Sequence, residues 1–466
     1  MRWRGVRGFA AALGVCATAL GVAQAQTTVD VEAGKGVTVA SEDGNTKINF
    51  GFYGQFRFQD AYRDVWRRSD LNQTFPPFSV ENVGQTEPTF RVYRLRLYAE
   101  GSVWKVWMRY KLELDLAGND EGIRSIFIPP VFTSGGTSDF PGVNVTQGVQ
   151  DQDGRTVKLL DWYIDLSPKS AARVRIGQFK VPFGRQELVS DNKLQMTSRS
   201  VASDFFVPGR DRGVMFYGGT DTQRVQYKVG VFNGNGLARA TNIDKTLAYG
   251  ARLTATSSGP FLDVEDVIDQ PPSLGTRVQA GVAWFQNTDT PVRLNPQVAV
   301  SDIKNTRLEG DVGIFFRQRW NLFFDYFQRK YEVEQGFDLP ASCYGAYIEG
   351  RLSCDQTGYA VQGGVRLGPT DHHELSARYS WVDNDRDLND DEVSEATLNY
   401  AYYFFKHTMQ VSVSASYVTL GVNAAGSSAF LVKAANPTGD FFDPAAFPGM
   451  TGDNNYVAIV QFQWTF

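Results

Sequence analysis

The sequence predicts an all-β protein, a closed antiparallel transmembrane β-barrel of about 16 strands. Three observations support this fold: apolar and polar residues alternate in segments of about ten residues, short and long connections alternate between these segments, and the chain ends on the aromatic-rich segment YVAIVQFQWTF. The last side chain, Phe466, still follows the alternation, whereas the terminus of a soluble protein usually frays. No sheet edge can remain unpaired in a bilayer, so we expect this last strand to pair with the first.

The chain begins with the features of a secretory signal peptide. Residues 1–25 have a basic start, an apolar stretch and an A-x-A cleavage site that ends at Ala25. The apolar stretch is too short to anchor the protein in a membrane, so we expect cleavage after Ala25, which also removes Cys16. Residues 26–47 are then predicted to form an N-terminal periplasmic segment, and residues 48–466 the transmembrane barrel.

The predicted strands follow one another along the chain, each with apolar side chains on one face and polar side chains on the other. The first, INFGFYGQFRFQ, places Phe52 and Phe56 on one face and Gln55 and Arg57 on the other. Most segments have the length that a tilted strand needs to cross the hydrocarbon layer. The predicted spans are 48–60, 91–101, 106–117, 156–166, 172–180, 212–219, 223–232, 247–257, 275–286, 308–317, 320–332, 357–368, 373–383, 395–405, 408–418 and 455–466.

The connections indicate how the barrel is threaded. Short connections such as 102–105 alternate with long ones such as 118–155, and the link at 258–274 is the exception. Short periplasmic turns and long extracellular loops are typical of outer-membrane barrels, and an even number of strands places both termini in the periplasm. A soluble β-sandwich also alternates, but it does not explain the export signal or the difference between the two sets of connections.

Charge and the rarer residue types exclude several classes of function. The chain carries 46 basic and 51 acidic residues, a formal net charge of −5, which argues against a nucleic-acid-binding protein. Cys343 and Cys354 are predicted to form a disulfide, because an exported protein meets an oxidising compartment. The three histidines, His372, His373 and His407, do not make a convincing metal or catalytic cluster. We therefore predict no metal site, no cofactor and no enzymatic activity.

A barrel of this size encloses a water-filled lumen that is lined by the polar positions of each strand. Arg94/Arg96 and Arg173/Arg175 are pairs in which residues i and i+2 project from the same face, roughly 7 Å apart along the strand. Arginine binds oxyanions through its planar fork, and rings of Arg and Lys select anions in pores. The alternative is a mixed-charge wall in which each arginine pairs with a carboxylate. The predicted basic lining is Arg57, Arg94, Arg96, Arg109, Lys111, Arg173, Arg175, Lys228, Arg252, Arg277, Arg329, Arg366 and Arg378, and the shorter acidic set is Glu100, Glu113, Asp115, Asp161, Asp165, Glu309, Asp311, Asp325 and Glu374.

The connection between the fifth and sixth predicted strands contains the most distinctive motifs. GQFKVPFG, TSRS and PGRDRGV resemble the signature of the phosphate-selective porin O/P family, and GKGVTVASEDGNTKINFGFYGQFRF resembles the N-terminal strand of that family. The resemblance extends over almost the whole mature chain, from Val31 to Phe466. The positions that match the family motif are Gly177, Phe179, Pro182, Gly184, Arg199, Ser200, Arg210, Asp211 and Gly213.

The resemblance implies an outer-membrane channel that assembles as a homotrimer and takes up phosphate or polyphosphate along an arginine ladder with a basic constriction. In general porins the third long connection folds inward and narrows the pore, so the connection 181–211 is the candidate for an inward-folded constriction loop. We therefore expect a passive, water-filled channel for small anions, preferably phosphate or pyrophosphate, in the bacterial outer membrane with its lipid and lipopolysaccharide. The candidate anion-pathway residues are Arg94, Arg96, Arg109, Lys111, Arg173, Arg175, Lys193, Arg199, Arg210 and Arg212.

Other functions are compatible with the same barrel. A general diffusion porin for small polar solutes would share every feature except the phosphate preference. A membrane-embedded enzyme would need an activated nucleophile, and the sequence contains no recognisable nucleophile motif. An adhesin or structural barrel would not need so wide a sheet.

Overall fold

A computed structural model describes residues 28–32, 34, 36–63, 66–68, 80–82, 85–117, 157–237, 246–268, 275–289, 302–317, 319–335, 343, 351–368, 372–389, 391–420 and 455–466. The predicted signal peptide, residues 1–25, lies outside the described residues. The strands are β1 (Thr28–Glu32), β2 (Gly36–Ala40), β3 (Lys47–Arg63), β4 (Trp66–Arg68), β5 (Val80–Asn82), β6 (Gln85–Val103), β7 (Lys105–Asp115), β8 (Lys158–Lys169), β9 (Ala172–Lys180), β10 (Arg210–Gly219), β11 (Val225–Phe232), β12 (Ala248–Thr256), β13 (Arg277–Asp289), β14 (Asp302–Phe316), β15 (Trp320–Gln335), β16 (Ser353–Leu367), β17 (His373–Asp383), β18 (Glu392–Tyr403), β19 (Met409–Leu420) and β20 (Asn455–Thr465).

The strands β3 and β6–β20 form one closed antiparallel barrel. Each pairs with its neighbour in sequence, and β20 pairs with β3, with Val460 opposite Phe58 and Trp464 opposite Gly54. The main chain of the terminal Phe466 exchanges hydrogen bonds of 2.8 and 2.7 Å with Phe52. The prediction of a closed barrel whose last strand pairs with the first is confirmed.

The side chains alternate across the barrel wall as the sequence predicts. On β20, Val460 and Trp464 point outward and are exposed, whereas Gln461 and Gln463 point inward and are buried. The outward aromatic rings also pack on one another: the Phe52 ring lies 5.7 Å from Trp464 and 5.4 Å from Phe466. Because apolar groups face out and polar groups face in, the surface is suited to lipid and the interior to water.

Each predicted strand corresponds to one barrel strand, and the largest differences are at strand ends. β3 and β6 extend beyond the predicted 48–60 and 91–101 until Arg63 lies opposite Gln85. β14 and β15 likewise continue until Asp302 lies opposite Gln335. These extensions lie at the end with the long connections, beyond the length that a strand needs to cross the hydrocarbon layer, so their outward faces need not be apolar.

The predicted periplasmic segment 26–47 contains two short strands that the sequence did not reveal. β1 and β2 pair with each other, and β2 pairs with the start of β3, where Val37 lies opposite Phe50. The hairpin therefore continues the sheet beyond the end of β20. We call this end of the barrel, where most connections are short, the turn end, and the opposite end the loop end.

One further feature concerns the connections. Cys343 and Cys354 form a disulfide at the loop end and are buried against Ile303 and Tyr331.

Among the described residues, none of the helices is long and apolar enough to span a membrane.

Candidate functional site

The connection 181–209, which we call the inner loop, lies inside the barrel. It contains two short helices, α1 (Arg185–Leu188) and α2 (Val201–Phe206), with a 3-10 turn at Asp191–Lys193 between them. At the start of α1, Gly184 has φ 81°, and a β-carbon there would lie 2.3 Å from Val207, so glycine is required. The hydroxyl of Ser200 accepts a hydrogen bond of 3.1 Å from the backbone N–H of Ser203 and caps α2.

Apolar side chains hold the inner loop against the wall. Phe183 and Phe206 are fully buried, and the Phe206 ring stacks on Phe327 of β15 with 5.4 Å between centroids. Val382 of β17 and Val418 of β19 belong to the same cluster. The inner loop therefore has a hydrophobic core inside a lumen whose wall is otherwise mostly polar.

Carboxylates of the wall also bind the inner loop. Glu309 of β14 accepts hydrogen bonds of 2.8 and 2.7 Å from the backbone N–H groups of Gly184 and Arg185. Arg185 in turn donates two hydrogen bonds of 2.8 Å to the carboxylate of Asp325 on β15. Glu395 of β18 accepts a hydrogen bond of 3.0 Å from Val201. We call this half of the lumen, which faces β14–β19, the packed side.

Three of the predicted pathway arginines meet at one carboxylate of the inner loop. Asp191 lies 3.7 Å from Arg94 and 2.5 Å from Arg199, and it also pairs with Arg96. Burial alone would raise the pKa of Asp191, but these arginines outweigh it and hold the pKa well below its usual range. Arg94, Arg96 and Arg199 therefore position the inner loop.

A bulge in β6 changes the surroundings of Arg94. The register with β3 shifts between Gln55 and Phe56, and the ring of Tyr93 comes to lie beside the arginines. The guanidinium carbon of Arg94 is 4.4 Å from the Tyr93 ring centroid, and that of Arg57 is 3.3 Å away. Strict alternation would place Tyr93 on the face opposite to Arg94. The bulge could not be predicted, because it leaves no regular signal in the sequence.

A second segment enters the barrel from the turn end. Residues 258–268, which we call the inner turn, belong to the link that breaks the alternation of short and long connections. Val264 and Val267 pack against Phe315 and Phe323 of the wall. The carboxylate of Glu265 accepts a hydrogen bond of 3.1 Å from the backbone of Gln195 in the inner loop. The two inward segments therefore meet and fill the packed side between them.

A cavity lies between the inner loop and strands β6–β11, and we call it the passage. It has a volume of about 810 Å³. The basic residues that border it are Lys47, Arg96, Arg109, Lys111, Arg173, Arg175, Lys180, Arg210 and Lys228, and the acidic ones are Glu100, Glu113, Asp161, Asp165, Asp191 and Asp263. Nine cations therefore face six carboxylates among the described residues.

Toward the loop end, Lys111 and Arg210 are bound to carboxylates. Asp161 accepts from Arg210 at 2.8 Å and lies 3.3 Å from the ammonium group of Lys111. Lys111 also lies 2.6 Å from Glu113. This part of the passage has the mixed-charge wall that the sequence analysis kept as an alternative.

Toward the turn end, the balance shifts to positive charge. Arg175 is paired with Asp165 at 2.8 Å. Arg173 has no carboxylate within ion-pair distance among the described residues, and its guanidinium carbon lies 5.7 Å from the ring centroid of Tyr217. Arg109 is exposed, and its Nε reaches a backbone carbonyl at 3.5 Å. An incoming anion can therefore approach Arg173 and Arg109 without displacing an internal carboxylate.

The predicted pathway residues divide into two groups. Six of them border the passage: Arg96, Arg109, Lys111, Arg173, Arg175 and Arg210. The other four, Arg94, Lys193, Arg199 and Arg212, are not among the residues that border it.

The passage is also bordered by Lys47, Lys180 and Asp263, which were not predicted from the sequence. Lys180 ends β9 and donates hydrogen bonds of 2.6 and 2.9 Å to two backbone carbonyls of the inner loop. Its place inside the GQFKVPFG motif was the available signal. Lys47 was assigned to the periplasmic segment, and Asp263 to a connection with no predicted inward fold.

The chain matches a known protein family over most of its length. A sequence model described as phosphate-selective porin O and P matches residues 68–418. No curated protein matches the chain in sequence.

Several solved structures are similar to this chain at low sequence identity. The anion-selective porin from Comamonas acidovorans is 11% identical, with 90% of this chain and 100% of that chain covered and a TM-score of 0.51. The outer membrane channel DcaP of Acinetobacter baumannii is 14% identical, with coverages of 91% and 99% and a TM-score of 0.46. OmpF of Salmonella typhi is 9% identical, with coverages of 91% and 98% and a TM-score of 0.44. At these identities the likeness concerns the fold alone.

Proposed function

The chain belongs to the phosphate-selective porin O and P family of outer-membrane proteins, and from that membership we propose that it forms a passive, water-filled channel for small anions. Phosphate and pyrophosphate are the preferred solutes in this proposal. The observation that carries it is the charge of the passage, where nine basic side chains face six carboxylates. Fixed positive charge in a narrow pore raises the local concentration of anions and lowers that of cations.

The two ends of the passage have different roles in this proposal. At the turn end, Arg173 and Arg109 are open to solvent or to an anion, and they attract the solute. At the loop end, Lys111 and Arg210 are held by Asp161, so they contribute a fixed but partly neutralised field. An oxyanion presents several acceptor oxygens to the planar guanidinium group, whereas chloride is a single atom. In this proposal Arg173 therefore favours oxyanions over chloride.

The second candidate is a general diffusion porin for small polar solutes without phosphate preference. The ion pairs of Lys111, Arg175 and Arg210 favour it, because a cation already bound to a carboxylate attracts a passing anion less strongly. The two candidates share the barrel and the passage and differ only in oxyanion binding.

A planar bilayer experiment separates these candidates. The purified protein is inserted under a KCl gradient, the zero-current potential is measured, and phosphate and pyrophosphate are then titrated against the chloride current. An anion-selective potential, together with saturable block of the chloride current by phosphate or pyrophosphate, supports the oxyanion channel. An anion-selective potential without block supports general diffusion of anions, and a cation-selective potential contradicts the proposed function.

We also propose that the channel is a homotrimer, as the family resemblance implies. Cross-linking in outer membranes, followed by gel electrophoresis without heating, tests the stoichiometry. A single band at the mass of the monomer under all cross-linking conditions would contradict the trimer.

A further inference from the structure

The inner turn carries three carboxylates that face three different surroundings. Glu265 faces the inner loop, where it accepts the hydrogen bond from Gln195. Asp266 lies 2.6 Å from the imidazole of His407, and both side chains are buried. Asp263 alone among the three borders the passage, and its side chain is 37% exposed.

The residues around Asp263 are held firmly, which fixes the position of its carboxylate. The backbone N–H of Phe261 donates a hydrogen bond of 2.9 Å to Gln223 at the β10–β11 turn. Arg277 of β13 donates one of 3.0 Å to the carbonyl of Pro260. On the other flank, Val264 is part of the apolar cluster with wall residues. Asp263 is therefore a fixed charge of the passage, unlike an acid on a free surface loop.

Two of the cations in the wall of the passage, Arg173 and Lys228, lie on the two strands that flank β10. Strand register places Arg173 opposite Tyr217, and Tyr217 opposite Lys228, on adjacent strands. The Oδ2 atom of Asp263 lies 3.8 Å from the ammonium nitrogen of Lys228. At this distance the carboxylate neutralises part of the field of Lys228 without a close hydrogen bond to it.

We propose that Asp263 is a specificity-determining residue of the passage. Its carboxylate opposes the field of Arg173 and Lys228 at the turn end and limits how strongly multivalent anions are held there. The repulsion scales with the charge of the solute, so it acts more strongly on pyrophosphate than on phosphate or chloride. This inference rests on the proposed function only in that solutes cross the passage.

The test replaces Asp263 with the isosteric Asn in the full-length protein and measures zero-current potentials in planar bilayers under a KCl gradient. We expect Asp263→Asn to raise the permeability ratio of chloride over potassium about tenfold, because one unit charge roughly 6 Å away in water changes the local concentration of each ion about threefold and in opposite directions. The half-blocking concentration of pyrophosphate should fall by more than that of phosphate. Asp263→Glu keeps the charge and should keep the wild-type potential.

A matched control removes the same charge nearby but outside the passage. Asp221 is exposed in the β10–β11 turn and does not border the cavity, so Asp221→Asn should leave the potential unchanged. The inference is overturned if Asp263→Asn matches Asp221→Asn, or if Asp263→Glu shifts the potential as much as Asp263→Asn. A wild-type channel that is not anion-selective but shifts with Asp263→Asn would defeat the proposed function and support the role of Asp263.

Discussion

The two halves of the lumen use similar residues for opposite purposes. On the packed side, Glu309 and Asp325 point inward from the wall and bind the inner loop. On the open side, along β6–β11, Lys111 and Asp161 also point inward but pair with each other and border the passage. Alternation along a strand decides that a charged residue faces inward, and the path of the inner loop decides whether it binds protein or meets solvent.

This difference shows where the channel can be changed without damage to the barrel. A charge on the packed side is buried and paired, so its removal leaves a partner without compensation. On the open side, the side chains of Lys111 and Arg175 are partly exposed, so a change of charge beside them mainly changes the field in the passage. The packed side should therefore control the width and stability of the pore, and the open side its selectivity.

The largest effect is expected when a buried ion pair of the packed side loses one partner. Asp325→Ala leaves the buried guanidinium of Arg185 with only the more distant carboxylate of Glu265, at 3.8 Å, and loss of one partner costs about 3–5 kcal/mol for buried pairs of this kind. The inner loop should detach, lowering the free energy of unfolding and raising the single-channel conductance. Urea unfolding in lipid vesicles and bilayer recordings measure the two quantities.

The double variant Arg185→Met/Asp325→Leu is the control for this prediction. It removes both charges and leaves apolar groups of similar volume, so it should be more stable than Asp325→Ala. Unchanged stability and conductance in Asp325→Ala would show that the pair does not hold the inner loop.

A smaller effect, chiefly on selectivity, is expected from Asp161 on the open side, whose partner Lys111 is partly exposed. Asp161→Asn releases Lys111 and Arg210 from their shared carboxylate, so the passage becomes more positive and the chloride-to-potassium permeability ratio should rise about threefold. The zero-current potential measures this ratio. Glu332→Gln, which removes a charge at the loop end outside the cavity, should have no such effect. An equal shift in both variants would mean that net charge, rather than the passage, sets selectivity.

Removal of the unpaired cation at the turn end should change selectivity in the opposite direction. Arg173→Gln deletes a guanidinium that has no carboxylate partner among the described residues, so the anion permeability should fall about two- to threefold with little change in stability. Lys330→Gln, at the exposed Lys330–Glu332 pair, is the matched control. If Arg173→Gln unfolded the barrel more readily without a change in potential, its role would be structural.

The smallest effect on conduction is expected from the disulfide at the loop end. Cys343→Ser/Cys354→Ser removes a link at the loop end that does not border the passage, so conductance and selectivity should remain those of the wild type. The loop-end connection should be cut faster by added protease, because the disulfide no longer restricts it. A changed zero-current potential would place this connection in the path of the solute.

The sequence predicted the barrel almost completely because a bilayer imposes a strict period of two on each strand. β20, for example, was predicted as 455–466 and is observed as Asn455–Thr465. The same period could not show which inward groups are covered. The contacts of Asp191 with Arg94 and Arg96 join residues about a hundred positions apart, and no local pattern records them.

The candidate passage was therefore predicted in part. Arg173 and Arg175 border it as expected for an i, i+2 pair, whereas Arg94 of the equivalent pair lies outside it. The inner turn could not be predicted, since a connection that departs from the usual length does not show whether it extends outward or folds inward. Its residue Asp263 reaches the passage only through that inward fold.

The most direct test of the account asks which half of the lumen conducts. Single cysteines are introduced at Arg173 on the open side and at Gln362 on the packed side, with Cys343 and Cys354 left in their disulfide, and a negatively charged thiol reagent is added during bilayer recording. We predict that the reagent reduces the chloride current of Arg173→Cys and leaves that of Gln362→Cys unchanged. A reduction in Gln362→Cys without one in Arg173→Cys would contradict the account, because ions would then cross the half of the lumen that the inner loop and the inner turn fill.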